Sequence, residues 1–147
     1  MGRRIEFGAA VAGGIPAINA IQDGLAGDRI SKIAGILNGT CNYILTQMEA
    51  KQTSFADALR EAQELGYAEA DPSGDVDGFD ARAKLVILTR VGLHMQVRSD
   101  QVSCWPISTV EAVDFLYAHE LHCTIRQISL AEKDPANHSH LFAAVRP

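Results

Sequence analysis

The chain has few of the residues that mark specialised protein classes. Its 147 residues include three cysteines and one tryptophan, and aromatic residues make up only 6%. Cys41, Cys104 and Cys123 are an odd number without a C-x-x-C spacing. This excludes a disulfide framework and a zinc knuckle, and it indicates a reducing, cytoplasmic setting. No apolar run approaches the ~20 residues of a membrane helix, so we expect no membrane partner.

Positive charge is also scarce. Thirteen Lys and Arg against eighteen Asp and Glu give a formal net charge of -5, and the basic residues form no stripe. Because a phosphate backbone needs such a stripe, we expect no nucleic-acid partner and favour a small polar ligand. Neither G-x-G-x-x-G nor G-x-x-x-x-G-K-[ST] occurs, so no nucleotide-binding loop of either kind can be assigned.

Hydrophobic periodicity and turn residues predict both helices and strands. The order of these elements predicts an α+β fold, with helices packed on one face of a small β-sheet. On one side of the last helix, Val113, Leu116, Tyr117 and Leu121 recur at helical spacing. The predicted helices cover residues 16–27, 42–50 with Thr40 as cap, 54–65, 77–92, and a stretch after a capping box at Ser108; the predicted strands cover 29–37, 123–131 and 140–146.

The segment 66–84 is the most informative part of the chain. It reads GYAEADPSGDVDGFDARAK, so five carboxylates precede one lysine in an irregular segment that ends in a predicted helix. Carboxylates at this density repel one another, and a fold that gathers them usually supplies a cation, a ligand ammonium group or solvent. The pattern therefore predicts an active or binding site.

Asp80 and Lys84 are four residues apart, on one face of the predicted helix. The carboxylate favours the protonated form of the lysine, which could then donate a proton to a developing alkoxide. A surface ion pair has the same spacing. The apolar run that follows Lys84 favours the buried, functional interpretation.

Two metal interpretations are less favoured. Counting from Asp71 or Asp75, the segment lacks the glycine and glutamate that an EF-hand requires at its sixth and twelfth positions, although a looser cation site stays open. His119, His122 and Cys123 are competent ligands. They lie at a predicted helix end, however, where imidazoles commonly complement the helix dipole.

Three motifs in order give a specific family resemblance. The segment 66–84, AVAGGIP at 10–16 and GILNGTCNYIL at 35–45 resemble the signatures of homoserine dehydrogenases, and the likeness runs from about Phe7 to Pro147. The resemblance implies a domain with the fold of that family's catalytic domain. It also implies an NAD(P)-dependent oxidoreductase that interconverts L-aspartate 4-semialdehyde and L-homoserine in threonine, methionine and isoleucine biosynthesis. The alternative is a non-catalytic amino-acid-binding or dimerisation module that keeps the fold.

Site roles follow from the resemblance, residue by residue. Lys84 resembles the proton donor to the aldehyde oxygen, and Asp80 the residue that orients it and contacts substrate. Glu69 and Asp75 resemble the groups that hold the substrate ammonium, and Thr40 a further substrate contact. The resemblance also implies a homodimer.

A monovalent-cation site, for example for Na⁺, is implied at the backbone carbonyls of Val11, Gly13 and Ile15. Gly8 stands where family members usually carry a glutamate, so this site lacks one expected ligand. The family's nucleotide-binding domain precedes the matched region, and a glycine-rich segment follows it. We therefore expect residues 1–147 to be a catalytic and dimerisation domain, a fragment of a longer enzyme and inactive alone, whose NAD or NADP is bound mainly by another domain.

Overall fold

The computed structural model describes residues 3, 5–137 and 139–147, which form a four-stranded sheet with helices on one face. No helix in these ranges has the length and apolar character of a membrane span. The strands are β1 (Lys32–Gly35), β2 (Ser103–Cys104), β3 (Ile128–Lys133) and β4 (Leu141–Arg146). The helices are α1 (Ala17–Asn19, continuing as a π-helical turn, Ala20–Gly24), α2 (Gly39–Lys51), α3 (Phe55–Glu64), α4 (Ser73–Val76), α5 (Phe79–Gly92) and α6 (Ala112–Glu120), with 3₁₀ turns at Gly8–Ala10, Ser99–Gln101 and Ile107–Thr109.

The sheet has the strand order β1-β3-β4-β2. The β1–β3 and β3–β4 pairs are antiparallel, whereas the short β2 runs parallel to β4. Since side chains alternate across a sheet, one face carries the buried Ala131, Ala143 and Val145. Helix α5 packs on this face through Ala81 and Leu85. The predicted α+β architecture, with helices on one sheet face, is confirmed.

A second part of the core lies between α2 and α3. Ile44, Leu45 and Met48 of α2 are fully buried against Ala58 and Ala62 of α3. Alanines on α3 let the two helices approach closely, because small side chains leave room for the branched residues of α2. Ser54 caps α3 as predicted, with its hydroxyl accepting a hydrogen bond from Asp57 N at 3.1 Å.

Several predicted boundaries are wrong. The strand predicted over 29–37 is limited to β1, and residues 123–127 of the next predicted strand precede β3 without joining it. Helix α5 begins at Phe79 rather than near Asp77, because Gly78 takes a left-handed conformation that ends the preceding turn. The acidic segment, predicted to be irregular, contains the short helix α4.

The interpretation of the last helix also needs correction. The predicted cap at Ser108 lies in a 3₁₀ turn, and α6 starts four residues later, where Glu111 N donates to Asp114 Oδ2 at 2.8 Å. Its buried residues are Phe115 and Ala118. The side carrying Leu116, 51% exposed, faces outward, as do Val113, Tyr117 and Leu121.

Glu49 of α2 anchors the segment that follows α6. Its Oε1 accepts hydrogen bonds from Thr124 Oγ1 at 2.7 Å and His119 Nε2 at 2.9 Å, and its Oε2 pairs with an Arg126 nitrogen at 2.8 Å. Burial alone would raise the pKa of Glu49, but the hydrogen bonds from Thr124, His119 and Arg126 outweigh burial and lower it to about 2. His119 therefore has a structural partner.

We expect the Glu49→Gln variant to unfold more easily by about 2 kcal/mol at pH 7, since the charged form is stabilised only in the folded state. The folded pKa lies below the ordinary value of 4.5. The carboxylate's contribution is therefore complete above pH 4.5 and disappears as the pH falls toward 2. Urea unfolding across this range should show the variant and parent converging in acid.

Glu61 is the matched control. Its carboxylate also pairs with a cation, Lys51, but the two side chains are 34% and 50% exposed, against 16% for Glu49. Exposed pairs contribute at most about 1 kcal/mol, so Glu61→Gln should cost less than Glu49→Gln at pH 7. Equal losses in the two variants would contradict the anchoring role of Glu49.

Candidate active site

The first wall of the site forms where β1 leads into α2. Asn38 is the N-cap of α2: its backbone is extended, and its Oδ1 accepts a hydrogen bond from Cys41 N at 2.8 Å. Asparagine suits this position because its side-chain oxygen satisfies a free amide of the first helical turn. The prediction of Thr40 as the cap is wrong, because Thr40 already lies inside the helix.

The second wall is the acidic segment. Pro72 precedes α4, and Gly78, with φ of +83°, reverses the chain directly into α5. The Gly78 amide donates to the Asp75 carbonyl at 2.9 Å, which closes this turn. A side chain at Gly78 would have a Cβ only 3.1 Å from Val145 Cγ1. The turn therefore rests directly on the sheet and fixes Asp75 and Asp80 on either side of it.

The two walls meet through the Asn38 amide group. Its Nδ2 donates to Asp75 Oδ1 at 2.6 Å and to Asp80 Oδ2 at 2.9 Å. Lys84 Nζ donates to the same Asp80 oxygen at 2.6 Å and to the Leu37 carbonyl at 3.0 Å. The structure thus brings together Lys84, Asp80 and Asp75, three of the five predicted catalytic and substrate-binding residues.

Lys84 is held with one donor to spare. An ammonium group has three N–H bonds, and two of them are used by Asp80 and the Leu37 carbonyl. The lysine side chain is 27% exposed and that of Asp80 36%, so the pair is half-buried rather than fully buried. The arrangement can present a third N–H from a fixed ammonium to an oxygen of a bound molecule.

Cys41 is a buried structural residue of this site and is not a nucleophile. Its side chain is fully buried, and its Sγ donates to the Asp75 carbonyl at 3.1 Å. Burial, together with the charges of Asp75 and Asp80, raises the pKa of the Cys41 thiol to about 12. The residue therefore stays a thiol, which ties the first turn of α2 to α4 and offers no nucleophile.

The other two predicted substrate residues lie near the outer edge of the site. Thr40 Oγ1 donates to the Tyr67 carbonyl at 2.9 Å, which joins α2 to the chain after α3. Glu69 has an exposed side chain, and its backbone carbonyl accepts from Gln63 Nε2 at 3.0 Å. Neither residue hydrogen-bonds to Lys84 or Asp80 in this structure.

The predicted cation loop precedes α1. Ala12 and Gly13 both have positive φ, 64° and 54°, and Val11 is buried. Carbonyl oxygens are suitable ligands for hard cations. The Ile15 carbonyl already accepts a hydrogen bond from Ala17 N at 2.7 Å, and Gly8 supplies no charge. The uncharged carbonyl donors fit a monovalent cation, while a divalent site is disfavoured.

Within the described ranges, no cluster of three or more His, Cys, Asp or Glu side chains is arranged to hold a metal.

Sequence reasoning missed Asn38. Asn-Gly is typical of turns, so local reasoning takes Asn38-Gly39 as the break that ends the predicted strand 29–37 and gives Asn38 no role in the site. The available signal was local: asparagine is a strong N-cap, and the helical residues that follow it begin directly at Gly39. No neighbouring residue in the sequence indicates that the Asn38 side chain contacts Asp75 and Asp80.

The cavities found in this structure do not by themselves locate the chemistry. One of about 330 Å³ lies between α1 and the end of α5, where Ile21, Leu25, Val91 and His94 are among its lining residues. It contains neither Lys84 nor the carboxylates. The candidate active site is instead recognised by its converging charged groups.

Known proteins are similar in sequence to this chain over most of its length. A family model for homoserine dehydrogenase matches residues 16–147. The chain is 48% identical over 129 residues to the homoserine dehydrogenase of Mycobacterium tuberculosis strain H37Rv, covering 88% of this chain and 29% of that protein. With the Corynebacterium glutamicum enzyme it shares 43% identity over 145 residues, covering 97% of this chain and 33% of the relative. The chain therefore spans about a third of the length of the curated relatives it matches.

Solved structures share the fold as well as the sequence. A homoserine dehydrogenase from Thiobacillus denitrificans superposes with a TM-score of 0.89 at 42% identity, covering 95% of this chain and 32% of that one. A hyperthermophilic archaeal homoserine dehydrogenase in complex with NADPH gives a TM-score of 0.76 at 27% identity, covering 96% of this chain and 38% of that one. Sequence and fold agree over nearly the whole chain, which therefore belongs to the homoserine dehydrogenase family.

Proposed function

We propose that this chain is the substrate-binding and catalytic domain of a homoserine dehydrogenase, interconverting L-homoserine and L-aspartate 4-semialdehyde in the biosynthesis of threonine, methionine and isoleucine. The observation that carries the proposal is Lys84 Nζ, held 2.6 Å from Asp80 Oδ2 with its third N–H uncommitted. Membership of the family supplies the substrate pair. The three cysteines are free, which supports a cytoplasmic location.

Lys84 is the proton donor in this proposal. In the reductive direction, negative charge develops on the aldehyde oxygen, and the ammonium both stabilises that charge and delivers the proton. Asp80 holds the lysine nitrogen in place through the 2.6 Å hydrogen bond. In the oxidative direction, the same lysine as a neutral amine takes the proton from the substrate hydroxyl and becomes the ammonium.

The carboxylates bind the amino-acid end of the substrate. Homoserine carries an ammonium group, and Asp75 lies beside Asp80 with one oxygen uncommitted to the described residues. Glu69 and Thr40, at the outer edge, complete the substrate contacts in this proposal. The cluster of negative charge is then offset by the ligand's positive charge.

The hydride of such a reaction is supplied by NAD or NADP. The described residues contain no strand, glycine-rich loop and helix arranged to cradle its phosphates, and the one parallel strand pair is only two residues long. We therefore assign none of these residues to the dinucleotide. The roles proposed for Lys84, Asp80 and Asp75 concern the substrate alone.

Two measurements test the proposal. Calorimetric titration should show that the chain binds homoserine. Homoserine oxidation should appear when the chain is joined to the nucleotide-binding domain of a relative, and not with the chain by itself. Binding without turnover in the joined protein would favour a non-catalytic amino-acid-binding module, and no homoserine binding at all would overturn the proposal.

We further propose that the carbonyls of Val11, Gly13 and Ile15 bind Na⁺ or a similar monovalent cation. The two left-handed residues of this loop and its donor type support the proposal. Replacing sodium chloride by choline chloride should then lower the thermal midpoint of unfolding. An unchanged midpoint would argue against the site.

The open face of the sheet supports a homodimer. Phe142 is 48% exposed, Trp105 49% and Ile128 37%. Ile128 pairs with Arg146 across the strands and Glu132 pairs with Phe142, so these four side chains lie on the sheet face opposite α5. The Arg146 guanidinium lies 5.6 Å from the centre of the Trp105 ring, which places Trp105 beside them. A second copy covering this face would bury the aromatic residues, which is typical of homodimer interfaces. We propose this face as the dimer interface.

We expect Phe142→Glu to convert a dimer into a monomer, because it would bring two carboxylates, one from each copy, into a symmetric apolar interface. Light scattering after size-exclusion chromatography measures the change. Leu121→Glu is the matched control, since it adds the same charge to an exposed apolar residue beyond α6. A dimeric Phe142→Glu protein would place the interface elsewhere.

A further inference from the structure

The side-chain amide of Asn38 uses both its N–H groups and its oxygen in hydrogen bonds. One amide proton goes to Asp75 Oδ1, the other to Asp80 Oδ2, and Oδ1 accepts from Cys41 N. The opposite amide orientation would place the carbonyl oxygen against two carboxylates, so the contacts themselves fix which end is the donor. At 5% exposure the side chain has little competing solvent.

One amide group joins Asp75 and Asp80, whereas Lys84 hydrogen-bonds to Asp80 and not to Asp75. Two carboxylates that accept from the same amide group repel each other, and the repulsion is stronger in a partly buried site than in water. The amide donates one hydrogen bond to each and so offsets the repulsion without adding charge. Because Asn38 is also the cap of α2, the position of the two carboxylates is tied to a rigid helix end.

The Asn38 amide also determines which carboxylate oxygens of Asp75 and Asp80 remain available to a ligand. Asp80 Oδ2 accepts from both Asn38 and Lys84, and Asp75 Oδ1 accepts from Asn38. No hydrogen bond from the described residues reaches Asp80 Oδ1 or Asp75 Oδ2. One acceptor on each carboxylate is therefore uncommitted, which suits a ligand group that carries several N–H donors.

We propose that Asn38 is a positioning residue of this site, whose amide bridges Asp75 and Asp80 so that their remaining oxygens together accept the ammonium group of the substrate. This inference rests on the proposed function. Asn38 itself neither transfers a proton nor contacts a reacting atom.

Two substitutions separate bridging from capping. Asn38→Ser keeps an N-cap oxygen but removes both amide donors, and Asn38→Asp keeps the size and the cap but adds a third carboxylate. Calorimetry should show homoserine affinity falling about tenfold in the serine variant, the loss expected when a hydrogen bond between partly buried groups is removed, and further in the aspartate variant. Ser54→Ala, which removes the cap of α3, should lower stability and leave homoserine affinity unchanged.

A spectroscopic measurement tests the bridge without substrate. In a ¹⁵N–¹H spectrum, the resonances missing from Asn38→Ser identify the Asn38 side-chain NH₂ group. Its signals should shift in both Asp75→Asn and Asp80→Asn, since each carboxylate accepts one of its protons. Signals that respond to only one of the two substitutions would overturn the inference, as would unchanged homoserine affinity in Asn38→Ser. If the parent chain fails to bind homoserine, the proposed function fails, and the spectrum alone then decides the bridge.

Discussion

Replacing Lys84 by alanine is expected to lower kcat for homoserine oxidation by ~10² to 10⁴ in an enzyme that joins this chain to a nucleotide-binding domain, the usual contribution of a general acid or base. The lysine makes two protein contacts, to Asp80 at 2.6 Å and to the Leu37 carbonyl at 3.0 Å. The remaining N–H is the one that we assign to the substrate oxygen. Replacing the lysine takes away the group that accepts the hydroxyl proton in this direction, and with it the positive charge that stabilises the alkoxide.

The effect should appear in kcat more than in KM. The interaction with the substrate oxygen strengthens as negative charge develops, so its loss weakens transition-state binding more than ground-state binding. Steady-state rates of NAD or NADP reduction at varied homoserine concentration separate the two parameters. The size of the change in kcat then measures the role of the lysine directly.

Lys51→Ala is the matched control for this experiment. Lys51 is also a lysine paired with a carboxylate, Glu61, at 2.7 Å, but it lies at the end of α2 with an exposed side chain. Its removal should leave kcat within about twofold, since an exposed pair contributes little. Full activity in Lys84→Ala would remove the proton-donor role, and an equal loss in Lys51→Ala would point to a general effect on folding.

The local part of the site was predictable from the sequence. The spacing of Asp80 and Lys84 is a helical i,i+4 pair, and the apolar period through residues 79–87 predicts the helix that carries them, although its predicted start near Asp77 is two residues too early. The ion pair follows from these local features. The partial exposure of the pair did not, because the apolar run predicts burial, whereas the Lys84 side chain is 27% exposed and that of Asp80 36%.

The bridge across the site was not predictable by the same reasoning. Asn38 is 37 residues from Asp75 and 42 from Asp80 in the sequence, so only the packing of β1 and α2 against α4 and α5 brings them together. Periodicity had a similar limit at α6. Apolar residues occur on two sides of that helix, and the spacing alone does not say whether Phe115 or Leu116 faces the core.

Alanine at Gly78 is the second substitution with a large expected effect. We expect a loss of about 2 to 4 kcal/mol in the free energy of unfolding, together with loss of homoserine binding. One part is backbone strain, because φ of +83° costs a residue with a Cβ about 1 to 2 kcal/mol. The other part is crowding against the sheet, since the new Cβ would lie 3.1 Å from Val145 Cγ1.

Homoserine binding should fail for a geometric reason. The Gly78 amide bonds to the Asp75 carbonyl, and its own carbonyl accepts from Arg82 N at 2.9 Å in the first turn of α5. Moving this turn away from Val145 shifts Asp75 relative to Asp80, which breaks the shared contact through Asn38. Urea unfolding measures the stability, and calorimetry at a temperature where the variant is folded measures the binding.

Two other glycines separate strain from crowding. At Gly66, φ is +76° but nothing would lie within 4 Å of an added Cβ, so Gly66→Ala should show the strain alone, about 1 to 2 kcal/mol. Gly74 is in α4, with an unhindered Cβ position, and its replacement by alanine should be neutral or slightly stabilising. If Gly78→Ala cost no more than Gly66→Ala and still bound homoserine, contact of the turn with the sheet would not be what positions the carboxylates.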